Sequence, residues 1–237
     1  MKKTIYSASG RGRAEHGWLS SRFSFSFAEY YNPAQMHFGV LRVLNDDVIQ
    51  AGKGFGMHPH ENMEIVTIPL SGALEHRDSM GNGSIIRAGE VQLMSAGTGI
   101  RHSEFNPLAD QESTLLQIWL FPKQKDIKPR YFQRSFDESQ MRNAWQCVVS
   151  PDGIADSLII NQQAWFNLSK AEKGLLLPYQ IKQPDNGAFI FVIEGSVTVA
   201  GENLGRRDAI GLWEFAETEL EITSDAHLLL MDIPMQL

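Results

Sequence analysis

The sequence predicts an all-β protein built as two antiparallel barrels, with very little helix. Three observations carry that expectation. Clusters of Gly, Pro and Asn/Asp recur roughly every ten residues, the spacing of strand-and-turn architectures. The segments between them are short and rich in β-branched or aromatic residues. A strand–turn–strand unit also recurs once, and no segment sustains a 3.6-residue apolar stripe.

Taken in chain order, a brief helical turn is expected after Asn32-Pro33, and the first clear strand is Phe38–Val43 (FGVLRV). Glu64–Leu70 (EIVTIPL), Val91–Met94 (VQLM) and Leu115–Phe121 (LLQIWLF) follow. The stretch from Pro122 to Arg134 (PKQKDIKPRYFQR) is charged and contains proline, so it reads as a connector. It divides the chain into residues 1–133 and 134–237. A second short helical turn is expected over Asp137–Arg142, then strands at Ala188–Ile193, Ser196–Val199 and Leu228–Ile233.

The repeated unit opens at Leu70-Ser71-Gly72-Ala73-Leu74, turns through Asp78–Gly83 and ends at Arg87–Leu93. Its counterpart opens at Ile193-Glu194-Gly195-Ser196-Val197, turns at Ala200–Asn203 and ends at Arg206–Leu212. A hairpin used once per barrel explains both, with glycine supplying positive φ. Chance recurrence of Glu-Gly and Ala-Gly pairs is the competing explanation.

Composition narrows the function classes. The chain has 237 residues, enough for one large domain or two small ones and for a core without disulfide staples. The single cysteine, Cys147, cannot form an internal bridge and is expected to be a buried small hydrophobe in a reducing compartment. With 21 Lys+Arg against 28 Asp+Glu the net charge is −7, which argues against direct binding to nucleic acid. No apolar run approaches the roughly 18 residues of a membrane span, and Met1–Thr4 leads into polar sequence rather than a signal core. A soluble cytoplasmic protein is expected.

The sharpest motif is His58-Pro59-His60 in GFGMHPHENME. On an extended strand, residues i and i+2 share a face about 6–7 Å apart, so both imidazoles can converge on one ion. His102-Ser103-Glu104 in GTGIRHSEFN repeats the geometry. Three imidazoles and a carboxylate suit a divalent first-row metal with open positions. The competing reading of these four side chains is a polar barrel core satisfied by hydrogen bonds.

Spaced glycines, with one further polar residue each, frame both pairs: Gly52, Glu64 and Gly72 around the first, and Gly89, Gly97 and Asn106 around the second. At these residues the sequence resembles the cupin superfamily, with its Gly…His-x-His…Glu…Gly and Gly…Pro-x-Gly…His…Asn motifs. Ser95 stands at the proline position, two extra residues within Thr98–Arg101 separate Gly97 from His102, and the Glu64–Gly72 spacing is one residue longer than in the motif. The segments HPHENMEIVTIPLSGALEHRDSMGN and AGEVQLMSAGTGIRHSEFNP, with the early RGRAEHGWLSSRFSFSFAEYYNP, resemble the pirin family. The likeness covers most of residues 10–125 and fades to barrel rhythm beyond them. The resemblance implies a bicupin with one metal in the first barrel, held by His58, His60, His102 and Glu104. The second barrel, whose sole histidine is His227, is expected to be metal-free.

The activity implied by the resemblance is a dioxygenase that cleaves the central ring of a flavonol such as quercetin through a metal-bound substrate enolate. Glu104 is then the candidate base, and Fe(II) the expected ion, with Zn, Ni, Co, Mn or Cu as alternatives. The partners would be a small aromatic enol or flavonol and dioxygen. The alternative is an iron- or redox-sensing regulatory protein acting through a protein partner, and a cupin isomerase or sugar-binding module is a third reading. Phe55, Met57, Ile100 and Phe105 flank the ligands and are expected to wall the substrate pocket. Glu64 is expected to be structural or to support the ligands from behind. His16, His37 and His76 have no partner at ligand spacing, although His76 follows Gly72 closely enough to approach the pocket. Gly97-Thr98-Gly99 is expected to let the backbone turn tightly beside the metal rather than to bind phosphate.

Overall fold

The structure, a computed structural model, describes all 237 residues. Twenty strands alternate with turns, and the only helical pieces are three single 3-10 turns. The first twelve strands are β1 (Lys2–Tyr6), β2 (Gly12–Glu15), β3 (Leu19–Phe23), β4 (Leu41–Ile49), β5 (Gly54–His60), β6 (Glu64–Ser71), β7 (Ala73–Asp78), β8 (Gly83–Arg87), β9 (Glu90–Ser95), β10 (Ile100–Phe105), β11 (Ser113–Leu120) and β12 (Arg130–Ser135). The remaining eight are β13 (Gln146–Ser150), β14 (Leu158–Ile159), β15 (Trp165–Ala171), β16 (Leu176–Gln180), β17 (Asn186–Val199), β18 (Glu202–Leu204), β19 (Ala209–Trp213) and β20 (Glu217–Pro234).

In the first half, a seven-stranded sheet runs β12-β9-β6-β11-β4-β3-β2 and a four-stranded sheet runs β5-β10-β7-β8. The second half forms a nine-stranded sheet along β1-β19-β17-β20-β15-β13-β14, with β16 on β20 and β18 on β17. All pairs are antiparallel except the short β13–β14 pair. β1 departs from the expected division of the chain at residue 134. It pairs with β19, covering backbone groups that would otherwise form an open sheet edge, and so belongs to the second sheet.

Local differences from the sequence reading have physical causes. No helix follows Pro33; the Gln35 N–H donates to the Asn32 carbonyl at 2.9 Å and closes a turn instead. Asp137–Arg142 reduces to a 3-10 turn over Glu138–Met141, capped by the Asp137 side chain, which accepts from Ser139 N at 2.9 Å. Phe38 lies ahead of β4 rather than in it, and its ring packs 5.6 Å from Phe189. The two strands expected around Gly195 are one bent strand, β17, with bulges between Val192 and Val197. Gly195 has φ +83° and lies against the Asp225 carbonyl, where no Cβ would fit. The repeated hairpins are β7–β8 and β17–β18.

The largest apolar cluster, 29 buried residues, lies between the halves and joins Leu41, Val66, Leu93 and Leu116 to Phe166, Phe189, Phe191 and Leu229. A second cluster of 16 residues fills the C-terminal barrel. The interior of the N-terminal barrel holds only small clusters of five and four. Its buried inventory is instead polar, including Asn45, Asp47, Thr67, Gln92, His102, Glu104 and Gln117. Buried polar groups are costly unless partnered, so this interior is where a ligand is expected.

Candidate metal centre

Antiparallel pairing of β5 and β10 places His102 opposite His58 and Ile100 opposite His60. Strand alternation then turns three imidazoles to one side. Their ring centroids lie 4.9 Å (His58–His60), 4.4 Å (His58–His102) and 4.8 Å (His60–His102) apart. His58 Nδ1 sits 2.8 Å from the Gly56 carbonyl, which fixes the proton there and leaves Nε2 as the free lone pair. His60 Nε2, His102 Nε2 and Glu104 Oε1 are all buried without a hydrogen-bond partner. Each such atom costs about 1–3 kcal/mol when left unpaired. A cluster of lone pairs with nothing to donate to them fits one divalent cation.

The electrostatics agree. Burial, and then His58, push His60 down to about 4. Burial pushes His102 down to about 2, assisted by His58, His60 and His76. Neutral imidazoles are the ligand form. Burial pushes Glu104 up to about 7, with Asp47 adding to the rise and a hydrogen bond from Gln117 Nε2 (2.9 Å) opposing it. A cation beside the carboxylate would bring it back down. Thr67 Oγ1 donates to Gln117 Oε1 at 2.8 Å, which turns the Gln117 amide so that its N–H groups face Glu104.

One residue at the centre had no ligand spacing to reveal it. His76 on β7 lies opposite Glu104 and is fully buried. Its Nδ1 is 3.4 Å from His102 Nδ1, and its Nε2 is 3.2 Å from Asp78 Oδ2. Ligand atoms of His76, His102 and Glu104 lie within 4.8 Å of one another, as do those of His58, His60 and His102. Burial lowers His76, with Asp78 opposing the shift. Burial works to raise Asp78, but donors from Asn82, His76 and Met80 hold it below its ordinary value.

A cavity of about 820 Å³ opens onto this cluster and is lined by His58, His60 and Glu104 at one end. Trp18, Phe23, Phe27, Phe55 and Trp119 form aromatic walls, while Ser21, Asn45, Asp47 and Gln117 supply polar groups. The volume falls in the range of about 300–1,000 Å³ typical of small-molecule sites. Trp119 packs edge-on against His60 at 4.8 Å, and Trp18 against Phe55 at 5.2 Å.

Of the four expected wall residues, only Phe55 lines this cavity. A bulge between the His58–His102 and Phe55–Glu104 pairs shifts the register of β5 and turns Phe55 inward. Met57 (50% exposed) and Phe105 (37% exposed) point to solvent, because neighbours of an inward-facing ligand face outward on a strand. Ile100 is buried among Ile65, Met94 and Ala96 instead.

Residues 6–120 match the Pirin family, and residues 147–233 match the quercetinase C-terminal cupin domain. The chain is 46% identical over 231 residues to quercetin 2,3-dioxygenase of Escherichia coli (strain K12), covering 96% of each protein. The chain belongs to the pirin family. A pirin-like protein of Caulobacter vibrioides is 37% identical over 222 residues, covering 93% of this pirin and 95% of that protein. The crystal structure of the bacterial pirin YhhW from Escherichia coli in complex with nickel(II) superposes with a TM-score of 0.93 at 43% identity, covering 98% of this chain and 99% of that one. The two barrels are thus the cupin-type domains of a pirin.

Other singled-out residues of this pirin lie away from the centre or support it indirectly. Glu64 Oε2 accepts from Ser95 Oγ (2.8 Å) and Asn161 N (3.1 Å), so it ties the first barrel to the second half. Asn106 Nδ2 donates to the Ile49 and Gln111 carbonyls and braces a loop. Gly97, at φ +48°, lies against the Ile127 carbonyl of the connector, so its turn serves that contact. His16 lines the cavity mouth, and His37 Nδ1 binds the Gly39 carbonyl at 2.9 Å. Cys147 is half-buried, its thiol raised by burial. His227 is half-buried on β20, far along the chain from any second histidine. No helix of the chain is long and apolar enough to cross a membrane.

Proposed function

We propose that this protein is a metal-dependent dioxygenase that opens the central ring of a flavonol such as quercetin. The observation that carries the reading is the cavity: aromatic walls enclose space for a flat polyhydroxylated molecule and end on unpaired His and Glu ligand atoms. Similar proteins support it: a relative at 46% identity bears the name quercetin 2,3-dioxygenase, and a crystal structure of a pirin at 43% identity is a complex with nickel(II). His58, His60, His102 and Glu104 would hold the ion, and iron(II) is our assignment for it. Zinc, nickel, cobalt, manganese and copper compete, because such a donor set binds by the general affinity order. When bound, the ion supplies a Lewis-acidic, redox-capable point for an ionised substrate hydroxyl and dioxygen.

The chain supplies the remainder. Trp18, Phe55 and Trp119 hold the rings and exclude water from the reacting face. Glu104 is the base for the flavonol 3-hydroxyl proton: Gln117 anchors its Oε2, and Oε1, the same oxygen that would hold the ion, receives the proton only once released from that role. Asp47, held by Ser21 Oγ, offers a second polar anchor for ring hydroxyls.

Metal-replete protein purified without oxygen should consume oxygen when quercetin is added, and chelation should stop it. Metal-replete protein that consumes no oxygen with any flavonol would overturn the enzyme reading in favour of an iron- or redox-sensing protein that works through a partner.

A further inference from the structure

We infer that His76 and Asp78 form a positioning pair that fixes the proton of His102 on Nδ1 and thereby presents Nε2 to the metal. The inference rests on the metal-centre reading above and concerns how one of its ligands is set.

The protons follow one another in a forced order. The Asp78 carboxylate accepts from Met80 N (2.9 Å), Asn82 N (3.0 Å) and Asn82 Nδ2 (2.8 Å), an environment made only of donors. His76 Nε2, 3.2 Å from Oδ2, therefore donates as well. A neutral ring that donates from Nε2 has its lone pair on Nδ1. That lone pair faces His102 Nδ1 at 3.4 Å, so His102 donates from Nδ1. What remains on His102 is a lone pair at Nε2, the same buried atom that has no partner in the protein.

The pair is rigid enough to hold this arrangement. The side chains of His76 and Asp78 are both fully shielded from solvent. The Tyr131 ring stacks on His76 at 4.7 Å and 30°. Register between β7 and β10 sets His102 opposite Asp78 and Glu104 opposite His76. His58 is oriented by a backbone carbonyl, whereas His102 is oriented by a side-chain relay that ends in a charge. Both nitrogens of His76 are engaged, so it is a positioning residue and not a further ligand. An anionic acceptor behind a ligating imidazole also makes that imidazole a stronger donor.

The test uses full-length protein with ¹⁵N-labelled histidine, loaded with zinc(II). Long-range proton–nitrogen spectra should show His102 protonated at Nδ1 and His76 at Nε2. The variant His76→Leu should keep one ion per chain but bind it about 10–100-fold more weakly. His76→Gln, whose amide can accept from His102 and donate to Asp78, should recover most of that loss. Should His76→Leu fail to fold, Asp78→Asn reads the same relay and should weaken zinc and move the His76 proton to Nδ1. A His102 protonated at Nε2, or wild-type zinc affinity in the variant that folds, would overturn the pairing. Complete loss of zinc in His76→Leu would also overturn it by making His76 a ligand. Wild-type protein that takes up no zinc would instead sink the metal-centre reading, and the tautomers of the metal-free protein would still decide the pairing.

Discussion

Asp46 and Asp47 are adjacent on β4 and serve opposite sides of one sheet. Asp46 Oδ2 lies 3.0 Å from Arg207 Nε and 3.2 Å from Arg11 Nη2, at the seam between the halves. Asp47 turns into the cavity and accepts from Ser21 Oγ. The period of two along a strand lets neighbouring carboxylates act in different compartments.

Burial, opposed by Ser21 and assisted by Asp46, pushes Asp47 up to about 7, so its neutral form is favoured in the fold. The stability this contributes is complete below about pH 4 and is lost as pH rises to about 7. Asp47→Asn stays neutral throughout. It should be more stable than wild type by about 1–3 kcal/mol at pH 8, with the advantage vanishing near pH 4. Urea unfolding of the metal-free proteins at the two pH values checks this.

His227 gives the opposite pH signature. Burial, with Lys170 assisting, pushes it down to about 4, so the unfolded chain takes up a proton first as pH falls. Stability is then lost between about pH 6.5 and 4. His227→Leu should lose about 1–3 kcal/mol less than wild type across that window. Equal acid sensitivity of the two proteins would remove His227 as a contributor.

Replacing both His58 and His60 by Ala should abolish stoichiometric metal, because the two remaining side chains cannot define the site. Elemental analysis after dialysis decides it, and full metal content in the double variant would sink the ligand assignment.

Glu104→Gln should remain largely metallated through three imidazoles but lose about 10²-fold or more in flavonol turnover, the scale of a missing general base. Excess metal should not restore it, whereas raising the pH should help by ionising the flavonol in solution. Turnover at the wild-type rate would retain the enzyme and remove Glu104 as its base.

Phe189 joins the halves, with its ring 5.2 Å from Tyr6, 5.7 Å from Phe25 and 5.6 Å from Phe38. Phe189→Ala should cost about 3–5 kcal/mol of stability. Calorimetry should show one weakened transition for the whole chain, and two separated transitions would show that the halves unfold independently.

What the sequence makes legible here depends on how far an interaction reaches along the chain. The convergence of His58 with His60 needs only the strand period over three residues, and glycines and turns mark most strands equally locally. Asp47, Trp18 and Trp119 reach the cavity through the pairing of β3, β4 and β11, which no local pattern encodes. His76 meets His102 only across the β7–β10 ladder. Met57 and Phe105 look like wall residues because they adjoin ligands in sequence, yet on a strand that adjacency turns them away. Phe55 escapes the same fate only through a bulge that the sequence does not announce.

The placement of the main apolar cluster has a consequence for anyone seeking a minimal metalloprotein. The N-terminal barrel keeps a hollow interior because much of its apolar packing lies on its outer face, against the other half. Severed from that half, it would present Leu41, Val66, Leu93, Leu116 and Ile118 as a bare adhesive surface. The ligand-poor barrel is thus a permanent chaperone in cis, and a shortened version would need polar replacements at those five positions before it could stay dispersed.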